Sequence, residues 1–224
     1  DVAADRQHPV KKNRPIASGK LPLNAAWSAA IILVLIALPV AYFLAPGLAL
    51  ILALYLVTNI LYSRWLKHVP ILDVLIVSSG FVLRVAAGVA LITVERFSPW
   101  LYVITTLFSL YIGLGKRRAE MTLLEQGAGS HRKVLDGYTI PLLDQYITIV
   151  SGTTIGTYSL YTFTAPNLPE NHSMMLTIPF VVYGIFRYLQ LIQTGNAAGA
   201  PDEVALKDRP LQITVLLWGL AVLA

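Results

Sequence analysis

The chain has 224 residues and no cysteine. That removes disulfide frameworks, thiolate nucleophiles and cysteine-based zinc sites from consideration and leaves the redox compartment unmarked. Charge is scarce too: Asp, Glu, Lys and Arg make up 13% of the residues against 56% hydrophobic ones, and mean hydropathy is +0.65. So little polar surface does not coat a water-soluble globule of this length. The sequence also lacks an initiator Met, a basic leader with a short apolar stretch, and an A-x-A-like cleavage site. Residue 1 is therefore read as neither a translation start nor a secretory signal, and the expectation is a piece of a longer protein with material missing at both ends.

Long apolar runs fill the chain instead. Seven lie at about 24–44, 47–66, 71–94, 97–115, 139–163, 172–194 and 211–224, the last cut short. A helix rising about 1.5 Å per residue needs roughly 20 residues to cross a hydrocarbon core about 30 Å thick, which is the length of these runs. None alternates with period two, and lipid admits only helices or closed barrels. The expected fold is all-α, a polytopic transmembrane helical bundle forming one membrane-embedded domain over 1–224. Ala45-Pro46-Gly47, Val69-Pro70 and Ser98-Pro99 mark the breaks, Pro22 precedes a helix start, and Pro39, Pro141 and Pro179 lie near helix ends. No second soluble domain and no strong internal repeat is visible.

The cations are not spread evenly. Segments 1–23, 64–68, 116–138 and 195–210, which alternate onto one side of the bundle, hold five, two, five and two of the 17 Lys and Arg residues. The opposite loops hold Arg96, while Arg84 and Arg187 fall inside spans. Positive loops face the cytoplasm, so the net charge of +5 reads as a topology signal, with some attraction to anionic lipid head groups. It gives no reason to expect nucleic acid.

Chemistry-bearing residues gather in those basic loops. Asp1 and Asp5 are four apart, so on a helix they share a face and suit a hard cation such as Mg²⁺, or Mn²⁺, held by one or two carboxylates plus substrate phosphate oxygens. A solvated helix end explains the same spacing. Lys11, Lys12 and Arg14 would neutralise phosphate oxygens, Arg14 with a bidentate fork, or merely flank the membrane. Tyr62 and Lys67, in Tyr62-Ser63-Arg64-Trp65-Leu66-Lys67-His68, suit a phosphate grip or an interfacial aromatic belt with a flanking cation. Lys116, Arg117 and Arg118 precede Glu120, a cation triad that favours an anionic substrate group or again marks topology.

Ionisable residues inside spans stand apart, because charge at membrane depth is costly and is a functional hypothesis by default. Asp73 and Arg84 are eleven apart on one helix and return to nearly one face at about 100° per residue, so both are expected to face the bundle interior. Arg84 would meet an acceptor phosphate or pair with a carboxylate of another helix. Asp73 reads better as part of a buried pair fixing helix packing. Asp144 is expected to line the same cavity. Ser78, Ser79, Gly80 and Gly88 read as small residues allowing close helix contact, and Tyr158, Tyr161 and Phe163 as an aromatic belt at the outer interface.

Asp1-Val-Ala-Ala-Asp5-Arg-Gln-His-Pro9 through Arg14-Pro15-Ile16-Ala17-Ser18-Gly19 resembles the tail of the motif N-D-x-x-D-x-x-x-D followed by R-P-I-x-x-G of the UbiA superfamily of intramembrane prenyltransferases. The resemblance implies a nine-helix protein whose first two helices precede residue 1, with Asp1 and Asp5 as the second and third aspartates of the motif. The Tyr62 to His68 loop is similar to the Tyr and Lys element after the family's fourth helix. The second motif, D-x-x-x-D, is replaced by Gly115-Lys116-Arg117-Arg118-Ala119-Glu120-Met121. That run, with Leu135-Asp136-Gly137-Tyr138-Thr139 and the Pro201-Asp202-Glu203-Val204-Ala205-Leu206 to Asp208-Arg209 stretch, resembles the branch that uses a polyprenyl phosphate of the decaprenyl type.

The resemblance implies transfer of 5-phosphoribosyl from phosphoribosyl diphosphate to a polyprenyl phosphate, releasing diphosphate, at the cytoplasmic face of the plasma membrane, toward cell-wall arabinan or a related glycan. The implied roles are Mg²⁺ on Asp1 and Asp5, the diphosphate on Lys11 and Arg14, and phosphates of either substrate on Tyr62, Lys67, Arg84, Lys116, Arg117 and Arg118. Lys67 and Glu120 join the two aspartates as catalytic candidates, Glu120 by holding ribose hydroxyls or orienting a cation. A prenyl diphosphate with an aromatic acceptor is the second reading, and a non-enzymatic transporter or scaffold the third. Association into a homo-oligomer is left open.

Overall fold

The computed structural model describes residues 2–7, 11–92, 98–125, 133–166, 168–194 and 206–223. Among these the regular structure is helical: α1 (Val2–Gln7), α2 (Leu23–Leu44), α3 (Pro46–Arg64), α4 (Leu72–Val89), α5 (Pro99–Glu125), α6 (Ile140–Thr164), α7 (Ile178–Gln193) and α8 (Arg209–Leu223). Short 3₁₀ turns lie at Lys11–Asn13, Leu66–His68, Lys133–Gly137 and Ser173–Thr177. Helices α2 to α8 coincide with the seven apolar runs. Leu23–Leu44, Pro46–Arg64, Leu72–Val89 and Ser173–Gln193 are long and apolar enough to cross a membrane. The fourth run ends at 115 by hydropathy, yet α5 continues to Glu125 because Lys, Arg, Ala, Glu, Met and Leu are all good helix formers and no proline interrupts them.

The chain divides into two compact units. The first comprises Asp1–Val57 and Ala86–Thr93. After the 3₁₀ turn at Lys11–Asn13, the Ser18 N–H donates to the Arg14 carbonyl at 2.8 Å and the Leu21 N–H to the Pro15 carbonyl at 2.9 Å. Gly19 completes this turn at φ +80°, a left-handed conformation in which a Cβ would add strain. Helix α2 buries only Ala41, and Phe43 stands 86% exposed. Such an all-round apolar helix suits lipid rather than water.

The second unit comprises Thr58–Val85 and Val94–Ala224 and holds the main core. Leu135, Leu143, Ile147 and Ile192 are almost completely buried there. Helix α6 starts at Thr139, whose hydroxyl accepts the Leu142 N–H at 3.3 Å, with Pro141 in the first turn where its missing N–H costs nothing. Tyr111 on α5 donates its hydroxyl to the Ile185 carbonyl of α7 at 2.6 Å, and its ring centroid lies 5.2 Å from that of Tyr188. Ser78 on α4 meets the Ser109 hydroxyl of α5 at 2.5 Å, consistent with the close contact expected of a small residue.

Two expectations need correction. Arg84 is exposed, and its guanidinium carbon lies 5.0 Å from the centroid of the Phe81 ring, a cation–π contact on its own helix. It shares an angular position with Asp73 but sits about 16 Å further along the helix axis, so the two meet different surroundings. Tyr158 is 6% exposed and not a belt residue. Its hydroxyl meets that of Thr177 at 2.7 Å and accepts the Trp218 indole N–H at 2.7 Å, because a phenol buried in apolar surroundings must find polar partners. Phe163, by contrast, is exposed.

Candidate active site

Within the second unit, Val69-Pro70-Ile71 carries the chain into α4. The proline restricts Val69 to extended backbone, at φ −102° and ψ 117°. Ile71 then takes φ +70°, which a β-branched residue rarely adopts. Its N–H donates to the Tyr138 hydroxyl at 2.6 Å, and that hydroxyl donates to Asp73 Oδ1 at 2.7 Å. The second carboxylate oxygen, Oδ2, accepts the Arg117 Nε–H at 2.5 Å, while Arg117 Nη1 donates to Glu120 Oε2 at 2.6 Å. Asp73 is fully buried and Arg117 is 5% exposed, so each charge is sequestered with its partner.

The electrostatics follow from that packing. Burial draws the Arg117 pKa down, but the adjacent Glu120 and Asp73 carboxylates outweigh it and hold the guanidinium above its ordinary value. Tyr138 is pushed well above the usual phenol range, by burial first and then by its hydrogen bond to the Asp73 carboxylate. Both groups keep their protons throughout the physiological range.

Beside this cluster lies a cavity of about 220 Å³ lined by Tyr62, Asp73, Lys116 and Arg117, with Val74, Val77 and Gly113 forming its apolar wall. Tyr62 comes from the last turn of α3, Asp73 from the first turn of α4, and Lys116 and Arg117 from α5. Of the residues singled out from sequence, the structure thus brings Tyr62, Lys116 and Arg117 together, with Glu120 fastened to Arg117. Lys67 lies half-buried on the 3₁₀ turn after α3. Arg118 points elsewhere: its Nε donates to Asp144 Oδ1 at 2.6 Å and its Nη1 to the Ile192 carbonyl at 3.1 Å. Asp144 therefore faces Arg118.

Asp73 is in the buried pair expected of it, with Arg117 as its partner, whereas the sequence places Tyr138 in a motif without giving it a role in the site. Tyr138 sits 65 positions from Asp73, so no local pattern announces the contact. A signal was nevertheless present in Gly137: a Cβ there would come within 2.2 Å of the Pro70 ring, so the Lys133–Gly137 turn approaches the Pro70 turn more closely than other residues permit.

In the first unit, Asp5 on α1 accepts from Arg14 Nη1 at 2.9 Å, and Arg6 Nε donates to the Ala17 carbonyl at 3.2 Å. Asp5 is partly covered, whereas Arg14 is 60% exposed at its side chain. Asp1 and the side chain of Lys11 lie outside the described residues, as does 201–205 of the later acidic stretch.

The model of the UbiA prenyltransferase family matches residues 1–203. The chain belongs to that family. Among UbiA relatives, it is 35% identical over 223 residues to a Corynebacterium glutamicum protein named decaprenyl-phosphate phosphoribosyltransferase, covering 97% of this chain and 66% of the relative. Proteins of the same name from Mycolicibacterium smegmatis and Mycobacterium tuberculosis are each 36% identical, again over 97% of this chain and over 70% and 71% of the relatives. The chain therefore spans about two thirds of the length of these UbiA proteins. The all-helical, multi-pass membrane architecture expected from the apolar runs is that of the UbiA family.

Proposed function

We propose that the protein containing this chain transfers 5-phosphoribosyl from phosphoribosyl diphosphate to a polyprenyl phosphate, giving polyprenyl-phosphoryl 5-phosphoribose and diphosphate. The observation that carries this reading is similarity over 97% of the chain to proteins named decaprenyl-phosphate phosphoribosyltransferase. The basic cavity agrees with it, since Lys116, Arg117 and Tyr62 present donors suited to a phosphorylated ligand. With the fourteen cations of the alternate loops facing the cytoplasm, the reaction belongs at that face of the plasma membrane. The lipid product would serve cell-wall arabinan or a related glycan.

In the reaction, the bond from the anomeric carbon to the diphosphate oxygen breaks and its electron pair leaves with diphosphate. An oxygen of the lipid phosphate forms the new bond to that carbon. This oxygen is already ionised near neutral pH, so no strong general base is required. The protein's task is to orient both phosphates and stabilise charge on the leaving group, which fixed cations do well in a site shielded from water. Lys116 and Arg117 are assigned to that role, with Tyr62 and Lys67 on a phosphate and Arg14 on the diphosphate.

The family motif implies magnesium or manganese. Asp5 fits in kind, being a partly covered carboxylate next to a guanidinium suited to phosphate. Among the described residues there is no group of three or more metal-ligating side chains, and magnesium does not need one when substrate phosphates and water complete its shell. Asp1 and Asp5 would hold the ion, which when bound would neutralise charge on the diphosphate.

The test uses the full-length protein in lipid or detergent with Mg²⁺, comparing phosphoribosyl diphosphate plus a short polyprenyl phosphate against a prenyl diphosphate plus 4-hydroxybenzoate. Lipid-linked phosphoribose from the first pair alone is the expected result. Prenylated aromatic product would establish the second reading. Neither product would leave a non-enzymatic role.

A further inference from the structure

A phosphate-facing arginine binds more favourably when its plane is already fixed, because an unrestrained guanidinium loses rotamer entropy each time it binds. Arg117 has five N–H donors. Its Nε–H is held by Asp73 and one Nη1–H by Glu120, which locks the side chain while it still lines the cavity. Asp73 is fixed in turn. It is fully buried in the first turn of α4, and its other oxygen accepts the Tyr138 hydroxyl, which is itself held by the Ile71 N–H. A continuous chain of hydrogen bonds thus runs from the Pro70 turn through Tyr138 and Asp73 to Arg117.

We propose that Asp73 and Tyr138 are positioning residues that aim Arg117 at a phosphate of the diphosphate-bearing donor in the 220 Å³ cavity. The proposal rests on the phosphoryl-ligand reading of that cavity. Asp73 borders the cavity, but both its oxygens are engaged by Tyr138 and Arg117, so it and Tyr138 are assigned to act through the arginine. A carboxylate is required at 73 because a neutral amide cannot neutralise the buried guanidinium and, with a single acceptor oxygen, would turn its N–H groups toward one of the two donors, Arg117 Nε–H or the Tyr138 hydroxyl.

The experiment is a double-mutant cycle on the full-length protein in lipid, measuring donor KM and kcat separately. Asp73→Asn should raise KM for the donor by about tenfold or more, the scale of a lost charge-assisted hydrogen bond. In an Arg117→Ala background the same change should add less than about twofold, since there is nothing left to aim. Tyr138→Phe, which preserves the ring and its packing, should raise donor KM by a smaller factor and leave kcat within about twofold, with the same loss of effect when Arg117 is absent. It keeps the test available if Asp73→Asn fails to fold.

Equal penalties with and without Arg117 would overturn the proposal, because Asp73 and Tyr138 would then act by other means. A wild-type enzyme that uses a prenyl diphosphate in place of phosphoribosyl diphosphate would refute the proposed reaction while the cycle, run on that donor, still decides the positioning role. Wild-type protein that binds neither phosphorylated donor would overturn both.

Discussion

Arg118 and Asp144 form an ion pair of 2.6 Å that ties α5 to α6, and the same guanidinium reaches the Ile192 carbonyl on α7. Three helices therefore converge on one side chain. Asp144→Ala should lower stability by about 1–2 kcal/mol, a modest figure because its carboxylate is partly solvated. Donor KM should stay within about twofold of wild type. Thermal unfolding in detergent alongside steady-state kinetics checks this, and a raised KM with unchanged unfolding would move Arg118 among the substrate contacts.

Asp5 and Lys116 carry the proposed reaction more directly. Asp5→Asn should reduce turnover by about a hundredfold or more and weaken metal-dependent donor binding, as expected for loss of a hard anionic ligand. Lys116→Ala should mainly raise donor KM, by about tenfold. Normal activity in the Asp5→Asn protein, assayed across a magnesium titration, would remove the metal assignment.

The apolar helices were legible because bilayer thickness imposes a length that hydropathy alone reveals. Asp73 stood out for a similar reason, being a carboxylate among apolar neighbours. What could not be read was depth and distance. Arg84 shares its angular position with Asp73, yet helical phase says nothing about which neighbours lie at each level. Tyr158 carries the amphipathic side chain of a belt residue, but Thr177 and Trp218 satisfy its hydroxyl inside the protein. Tyr138 was invisible as a site residue because its partners, Ile71 and Asp73, are 67 and 65 positions away.

Gly137→Ala should destabilise the protein by about 1–3 kcal/mol, the usual cost of forcing a methyl into filled space. The clash is with the Pro70 ring, which is rigid and cannot swing aside. Because this turn leads to Tyr138, activity should fall in parallel, and an unchanged unfolding temperature would show that the two turns separate readily.

Asp208 accepts from Arg187 through both oxygens, at 3.2 and 2.7 Å, and Oδ1 also accepts the Leu211 N–H at the start of α8. The Arg187 hydrogen bond, helped by that N–H, holds the Asp208 pKa below its ordinary value. A carboxylate lowered on folding stabilises fully above its unfolded pKa of about 4 and loses that contribution as pH falls through the folded value. Unfolding temperature followed from neutral to acid pH should therefore drop below about pH 4, and Asp208→Asn should flatten part of that slope. An identical acid slope in the variant would show that other carboxylates govern it.

Lys116, Arg117 and Arg118 occupy consecutive positions on α5 but divide between two surroundings: Lys116 and Arg117 at the cavity, with Arg117 on Asp73, and Arg118 on Asp144. Each step along a helix turns the side chain by about 100°, so Arg118, two steps beyond Lys116, faces Asp144 while Lys116 and Arg117 line the cavity. The site is consequently written in the phase of the helix more than in its charge. Inserting one alanine between Gly115 and Lys116 would preserve every cation and the membrane topology, yet would rotate each away from its partner and abolish function.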